Sequence, residues 1–390
     1  MNEKAPQTFF IKTFGCQQNV ADSERIESSY RSRGLVRAEK QEEADILILN
    51  TCVIRDKAEE RVYGLVRRLR EQLGQHTQHI VITGCLVGAA AREPSGKMMK
   101  RLTSRLPDAE FLPLEDVGFE HVPVRAKGKT ASIVISNGCN NFCAFCIVPF
   151  SRGKERSRSF ADIVAEAKQV VADGYEEIVL LGQNVNSYGA DFLQEKLKEG
   201  EAYELPDGEK VLPIMVKHLN RHRIPTLFPY LLESVAEIPG VKKVTFLSSN
   251  PWDFSDELIE VMAHHPNIDR TLHLPVQSGS NDILKKMNRW YTREEYLALI
   301  DRIRAKMPDI VLTTDIIVGF PGETRKDFEE SVDLVRRVDF AKTFIAWFSP
   351  RPGTAAAKGM VDDVLIEEKQ RRFHELDAVA FKGKTHKKAH

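Results

Sequence analysis

What this sequence lacks narrows it quickly. It has no net charge, with lysine plus arginine at 56 and aspartate plus glutamate also at 56. A chain-wide basic field for nucleic acid is therefore excluded, and any RNA contact must come from local patches. No run of about 18 apolar residues occurs, which argues against a membrane-spanning helix. The opening MNEKAPQTFFIKTFGC holds no apolar stretch of signal-peptide length, so a cytoplasmic protein is expected. Cysteine is scarce, six in 390 residues. In a reducing compartment such cysteines read as metal ligands or catalytic groups rather than as disulfides. What is there is an ordinary globular composition, 42% hydrophobic and 29% charged, long enough for two or three domains.

The six cysteines fall into two sets. Cys139, Cys143 and Cys146 lie in GCNNFCAFC, a C-x3-C-x2-C pattern. A structural zinc ion normally takes four protein ligands, and no cysteine or histidine within about ten residues supplies the fourth. Three thiolates suit a four-iron cubane better, with one iron open to a small ligand. A zinc site completed by a distant histidine is the alternative. Cys16, Cys52 and Cys85 are dispersed, but their settings match. They follow TFFIKTFG, ADILILNT and HIVITG, each short, apolar and rich in β-branched residues, as buried strands are. The spacings of 36 and 33 residues each fit one βαβ unit. SERIESSYRSRG and DKAEERVYGLVRRLREQLG read as the helices between them. Parallel strands bring their carboxyl ends side by side, at the edge where open α/β sheets build sites, so three distant cysteines can meet. Three unrelated buried thiols remain the plainer alternative.

Residues 1–125 therefore read as an N-terminal parallel-sheet α/β domain. The polar stretch VPVRAKGKT reads as a linker. From 126 to 360 a second alternation runs, with strands expected at 131–136, 176–182, 242–248, 271–276, 309–319 and 341–349. Helical patterns such as FADIVAEAKQVVADG, SDELIEVMAHH, REEYLALIDRIRAKM and TRKDFEESVDLVRRV lie between them. Six repeats are too few for a closed eight-stranded barrel and suit an open (β/α)6 partial barrel. Its site edge would carry Cys139, Cys143 and Cys146, which follow the first strand. Residues 191–226 read as a charged loop insertion with some helix. Residues 361–390 read as one helix, LIEEKQRRFHELDAVAF, and a basic tail. The RRLR run at 67–70 reads as the solvated face of a helix.

The segments KTFGCQQNVADSERI, LNTCVIRDKAEERV, TGCLVG, SNGCNNFCAFCIVPFSRGKERSR, LLGQNVNSYG, HLPVQSGSNDILKKMNR, TDIIVGFPGETRKDFEE and FSPRPGTAAA run from residue 11 to about 357. In these the sequence resembles the methylthiotransferase family of radical S-adenosylmethionine enzymes, and within it the tRNA branch that acts on N6-isopentenyladenosine. The resemblance implies two [4Fe-4S] clusters and S-adenosylmethionine as cofactors. Cys139, Cys143 and Cys146 would hold the cluster that binds and cleaves S-adenosylmethionine, and Cys16, Cys52 and Cys85 an auxiliary cluster that carries the sulfur. Sulfur and a methyl group would be placed at C2 of the adenine at position 37, beside the anticodon, with two S-adenosylmethionine spent per product. No acid/base catalytic residue is implied, since the chemistry is radical and sits at the clusters.

The resemblance also points to strand-end residues toward the cofactor: Gln183 and Asn184, Ser248 and Ser249, Gln277 and Ser278, and Asp315, Gly319 and Glu323. Glycine at 319 would let the adenine of the cofactor come close to the backbone. For the RNA, Arg152, Lys154, Arg156 and Arg158, with Arg351, would grip phosphates. The implied partners are the tRNA anticodon stem-loop and an electron-donor protein such as flavodoxin or ferredoxin, with the chain a monomer. Relatives end in a small β-barrel RNA-binding module, the TRAM domain, which is expected to be absent because no strand-rich segment follows residue 361. The competing functions are methylthiolation of a ribosomal-protein aspartate, methylthiolation of threonylcarbamoyl-adenosine in tRNA, and a non-catalytic iron–sulfur RNA-binding protein.

Overall fold

The computed structural model describes residues 7–53, 58–73, 79–114, 118–119, 121–196, 198, 200–218 and 222–381. The chain divides into two compact units, residues 1–140 with 147–158, and residues 141–146 with 159–390.

The first unit is built on one parallel sheet. Its strands are β1 (Thr8–Thr13), β2 (Val36–Arg37), β3 (Ile46–Thr51), β4 (His79–Gly84) and β5 (Ala109–Leu112), in the order β2-β1-β3-β4-β5. All six positions of β3, ILILNT, are buried, as expected of a strand covered on both faces. The covering helices are α1 (Gln17–Ser32), α2 (Ala58–Leu73), α3 (Cys85–Arg92) and α4 (Lys97–Arg105). α2 turns Val62, Leu65, Val66 and Leu69 into the core around Leu47, Leu49, Ile80 and Ile82. Each such side chain contributes roughly 1.5–3 kcal/mol by leaving water. Arg67, Arg68 and Arg70 are left on the outer face, as the RRLR run predicted. On the other side, Ile26 and Tyr30 of α1 pack with Phe9, Ile11, Ile46, Ile48 and Val81. The three strands that precede the cysteines thus form as expected. The edge strands β2 and β5 are additions, of two and four residues. A further strand, β6 (Thr130–Val134), also belongs to this unit.

In the second unit, strands Glu177–Leu181 and Lys243–Phe246 pair in parallel. Thr271–His273, Val311–Val318 and Lys342–Trp347 form a second parallel ladder. With β6, all six expected strands are present. They remain in open sheets, the partial-barrel class the sequence predicted. Helices Phe160–Ala172, Asp256–His264, Arg293–Lys306 and Arg325–Val338 fall on the expected patterns. Their starts are written in the sequence: Ser159 and Ser255 cap the first two, and Thr292 with Glu295 and Thr324 with Asp327 form capping boxes. Each cap contributes about 1 kcal/mol.

The segment 191–226 departs from the expected loop. One short helix, Ala190–Lys196, is followed by two small antiparallel hairpins, Tyr203–Glu204 with Lys210–Val211 and Ile214–Lys217 with Arg223–Thr226. Ala190, Ile214, Val216 and Ile224 make a core of their own, which gives the hairpins a reason to form. The helix Ile366–Ala380 matches expectation, while the tail 382–390 lies outside the described residues. Among the described residues, no helix is long and apolar enough to cross a membrane.

Candidate functional site

In the first unit, three strand ends carry the dispersed cysteines. Cys16 precedes α1, Cys52 follows β3, and Cys85 opens α3 directly after β4. Glycine makes the approach possible. A side chain on Gly15 (φ +127°) would put its Cβ 3.0 Å from Cys52 Cβ. A side chain on Gly84 (φ +91°) would run into the backbone of Thr51. Both positions need a left-handed residue without a Cβ. Beneath the cysteines lies a buried amide and hydroxyl lattice. Asn19 donates to Asn50 Oδ1 at 3.1 Å and to Thr51 O at 3.0 Å. Asn50 donates to Asn19 O at 2.8 Å and Ser23 Oγ at 2.9 Å. Cys16 Sγ donates to Asn19 Oδ1 at 3.3 Å. Cys52 and Cys85 are buried, Cys16 is exposed, and none of the six cysteines is in a disulfide. Burial pushes the Cys85 thiol up, and the nearby Arg152 guanidinium acts against it. Three unbridged thiols on converging strand ends, one of them open to solvent, fit a cluster with an iron left for a small ligand.

Arg152 is the unexpected member of this region. It is only 5% exposed, donates to Asp22 at 2.6 Å and to Asn137 at 2.9 Å, and so lies beneath the surface instead of on it. Lys154 and Arg156 are exposed. Arg158 is half-buried and donates to Val134 O at 2.9 Å. A cavity of about 480 Å³ is lined by Asp22, Arg25, Arg92, Arg152, Lys154 and Arg156, among others. Arg351, in the second unit, is half-buried on the turn before helix Ala355–Gly359.

The compact motif begins in the first unit. Gly138 (φ +83°) packs where a Cβ would strike the carbonyls of Gly153 and Lys154, and Cys139 N–H donates to Gly153 O at 3.2 Å. In the second unit, Cys146 N–H closes a turn onto Cys143 O at 2.9 Å. The loop is tied down by Ala144 N–H to Met287 O and by Asn288 Nδ2 to Phe142 O, both 2.9 Å. Cys143 Sγ accepts a hydrogen bond from Arg289 Nη1 at 3.5 Å. Arg289 was not among the residues singled out from the sequence. Its guanidinium also donates to Asn250 Oδ1 at 3.1 Å and Pro275 O at 2.6 Å, and lies over the Trp252 ring at 4.5 Å.

The strand-end residues gather into three neighbourhoods. The loops after the strands ending at Leu181 and Phe246 meet, with Val185 N–H on Ser248 O at 3.3 Å. There Asn184 is buried and donates to Asp253 Oδ2 at 2.6 Å, and Ser249 Oγ has no partner among the described residues. Burial pushes the Asp253 carboxyl up to about 7, against the Asn184 hydrogen bond. Gln183 adjoins this loop and is half-buried. Second, Gln277 (φ +72°) bonds through its backbone to Asp315 O at 2.9 Å, and the Asp315 side chain pairs with His273 at 3.3 Å. Ser278 is buried against Ser331. Third, Gly319 (φ +67°) donates to Glu323 Oε2 at 2.6 Å. The space beside Gly319 is filled by the stem of Lys369, the close neighbour the glycine permits in this structure. Glu323 is buried and accepts Arg372 Nη1 at 2.7 Å; burial raises its carboxyl and Arg372 acts against it. Helix Ile366–Ala380 thereby anchors the 319–323 loop.

Residues 133–335 match the model of the Radical SAM superfamily, and residues 8–102 match a model described as uncharacterized protein family UPF0004. The chain is 39% identical to the tRNA-2-methylthio-N(6)-dimethylallyladenosine synthase of Thermotoga petrophila, over 94% of this chain and 80% of that one. It is 41% identical to the enzyme of the same name from Carboxydothermus hydrogenoformans, over 95% of this chain and 83% of that one. Among solved structures, a radical S-adenosylmethionine methyltransferase from Kitasatospora setae, with cobalamin and a [4Fe-4S] cluster bound, is similar at a TM-score of 0.57. The match covers 90% of this chain and 77% of that one; at 14% identity it speaks for the fold alone.

Proposed function

The chain belongs to the methylthiotransferase family of radical S-adenosylmethionine enzymes, and from that premise we propose that it modifies tRNA, placing sulfur and a methyl group at C2 of N6-isopentenyladenosine-37. The reading is carried by one observation: relatives that share about two-fifths of their residues across nearly the whole chain bear that activity in their name. When bound, two [4Fe-4S] clusters and S-adenosylmethionine supply the radical that opens the aryl C–H bond, and the sulfur and methyl group that replace its hydrogen.

The chain's own residues hold, orient and screen. Cys139, Cys143 and Cys146 would hold the radical cluster, and Cys16, Cys52 and Cys85 the auxiliary one. Three protein ligands each leave one iron free for a small molecule. Asn184, Ser249 and Asp253 are buried polar groups beside the strand ends, and Ser249 Oγ is without a partner among the described residues. Lys154 and Arg156 are the exposed cations suited to tRNA phosphates, while Arg152, with its carboxylate partner, holds the inner wall. A flavodoxin or ferredoxin supplies electrons, and the protein works as a cytoplasmic monomer.

The test is mass spectrometry of tRNA nucleosides from cells lacking their own enzyme and expressing this chain. The expected product is 2-methylthio-N6-isopentenyladenosine. Methylthiolated threonylcarbamoyl-adenosine, or a methylthiolated ribosomal-protein aspartate with unmodified tRNA, would replace the proposal with one of the competing substrates.

A further inference from the structure

We propose that Arg289 is a positioning residue for the radical cluster: its fixed positive charge on Cys143 favours the reduced state and so eases entry of the first electron. The inference rests on the reading above that Cys143 is a cluster ligand. Three observations carry it. First, Arg289 is only 6% exposed, yet one of its N–H groups points at Cys143 Sγ at 3.5 Å, within reach for a sulfur acceptor. Guanidinium does not lose its proton in proteins, so the charge is permanent.

Second, the guanidinium is held from several sides. Pro275 O at 2.6 Å, Asn250 Oδ1 at 3.1 Å and Tyr291 Oη at 3.4 Å take three of its other four hydrogens. Trp252 lies against it at 4.5 Å and Tyr291 at 5.4 Å, and Tyr291 is itself pinned by donating to Val276 O at 2.5 Å. Such a planar group gripped at its edges and its face cannot swing to follow a mobile anion.

Third, no carboxylate is hydrogen-bonded or ion-paired to it among the described residues. Its partners are a carbonyl, an amide, a phenol and a sulfur. Asp253, the carboxyl acting on it through space, is the one that burial pushes up to about 7, so near neutral pH it supplies a partial charge at most. A buried cation without a full counter-charge is costly unless an anion meets it. Here the sulfur of Cys143, as a ligand of the cluster, would fill that place. The step concerned is the entry of one electron; no bond breaks and no proton moves. An added negative charge beside a fixed positive one in a poorly screened site is stabilised.

The experiment is an EPR-monitored redox titration, with dithionite as reductant, of the full-length reconstituted chain. Cys16, Cys52 and Cys85 are replaced by alanine so that a single cluster reports. Four irons per chain and a reducible signal in this parent establish the cluster; their absence would fail the functional reading itself, separately from the inference. In Arg289→Gln, which keeps an N–H for sulfur but loses the charge, the reduction equilibrium should fall about tenfold or more. That corresponds to a midpoint about 59 mV lower for one electron. Arg289→Lys should stay within about threefold of the parent, because it keeps the charge. An unchanged midpoint in Arg289→Gln with four irons retained would overturn the proposal. Should Arg289→Gln fail to fold, Arg289→Met takes its place, since it also removes the charge while keeping an unbranched stem. A lowered midpoint there supports the proposal, and an unmoved one with four irons retained overturns it.

Discussion

Two buried arginines, Arg152 and Arg289, act on cysteines of this protein, one in each unit, and they are balanced in opposite ways. Arg152, whose charge reaches Cys85 and Cys16, is locked to Asp22 at 2.6 Å, so its field on Cys85 is opposed by that of its own partner. Arg289, beside Cys143, is held by neutral groups only. The same side chain thus serves two ends. Where it is paired, it fastens the wall of the site. Where it is unpaired, it lends its charge to the sulfur. The difference teaches that a buried guanidinium is read through its other contacts, not through its distance to the cysteine.

The comparison makes claims that can be broken. The largest expected effect is on stability. Arg152→Met strands the Asp22 carboxylate in a half-buried setting and should cost about 3–5 kcal/mol. Adding Asp22→Asn to it should restore a good part of that loss. Arg289→Met strands no paired carboxylate and should cost less, about 1–3 kcal/mol. Urea unfolding of the four proteins measures all of this, and equal losses at both arginines would dissolve the contrast.

The next effect concerns the carboxyls. Asp22 is ion-paired, whereas Asp253 keeps its proton to about pH 7 in the folded chain and releases it near the ordinary 3.8 when unfolded. The folded state therefore binds the extra proton between about pH 4 and pH 7, and stability must fall as pH rises through that window. Asp253→Asn removes that fall. The variant should gain on the parent from pH 5 to pH 8 by roughly 2–4 kcal/mol, read from denaturant midpoints. A constant difference across that range would show that Asp253 ionises normally and lends Arg289 a full counter-charge.

The smallest effect on stability, and the one that separates buried from exposed cations, is Lys154→Ala with Arg156→Ala. The fold should change by less than about 0.5 kcal/mol. Binding of the anticodon stem-loop should weaken, and its dependence on the logarithm of salt concentration should become shallower by about 1.5. An unchanged salt slope would remove both side chains from the RNA surface.

Much of this was legible in the sequence for reasons that are local. TFFIKT, ILILNT and HIVITG are strands in the structure because β-branched apolar runs of that length have little else to become. The cysteines after them were then placed by chain connectivity. The capped helices were legible because their first-turn partners lie three residues away. What was not legible depends on partners far along the chain. Arg152 read as a surface cation because Asp22 lies 130 residues before it. Arg289 was not singled out because Cys143, the contact that distinguishes it, lies 146 residues before it. The hairpins at 203–226 were hidden because strands of two to four residues carry too few alternations to reveal a period.

The anchoring of the 319–323 loop by Arg372, and the Lys369 stem lying over Gly319, bear on where this protein can be joined to others. The sequence boundary near 361 invites a fusion there. The structure moves the usable seam to the far side of helix Ile366–Ala380, since a graft at 361 would pull two buried cations out of the loop they brace.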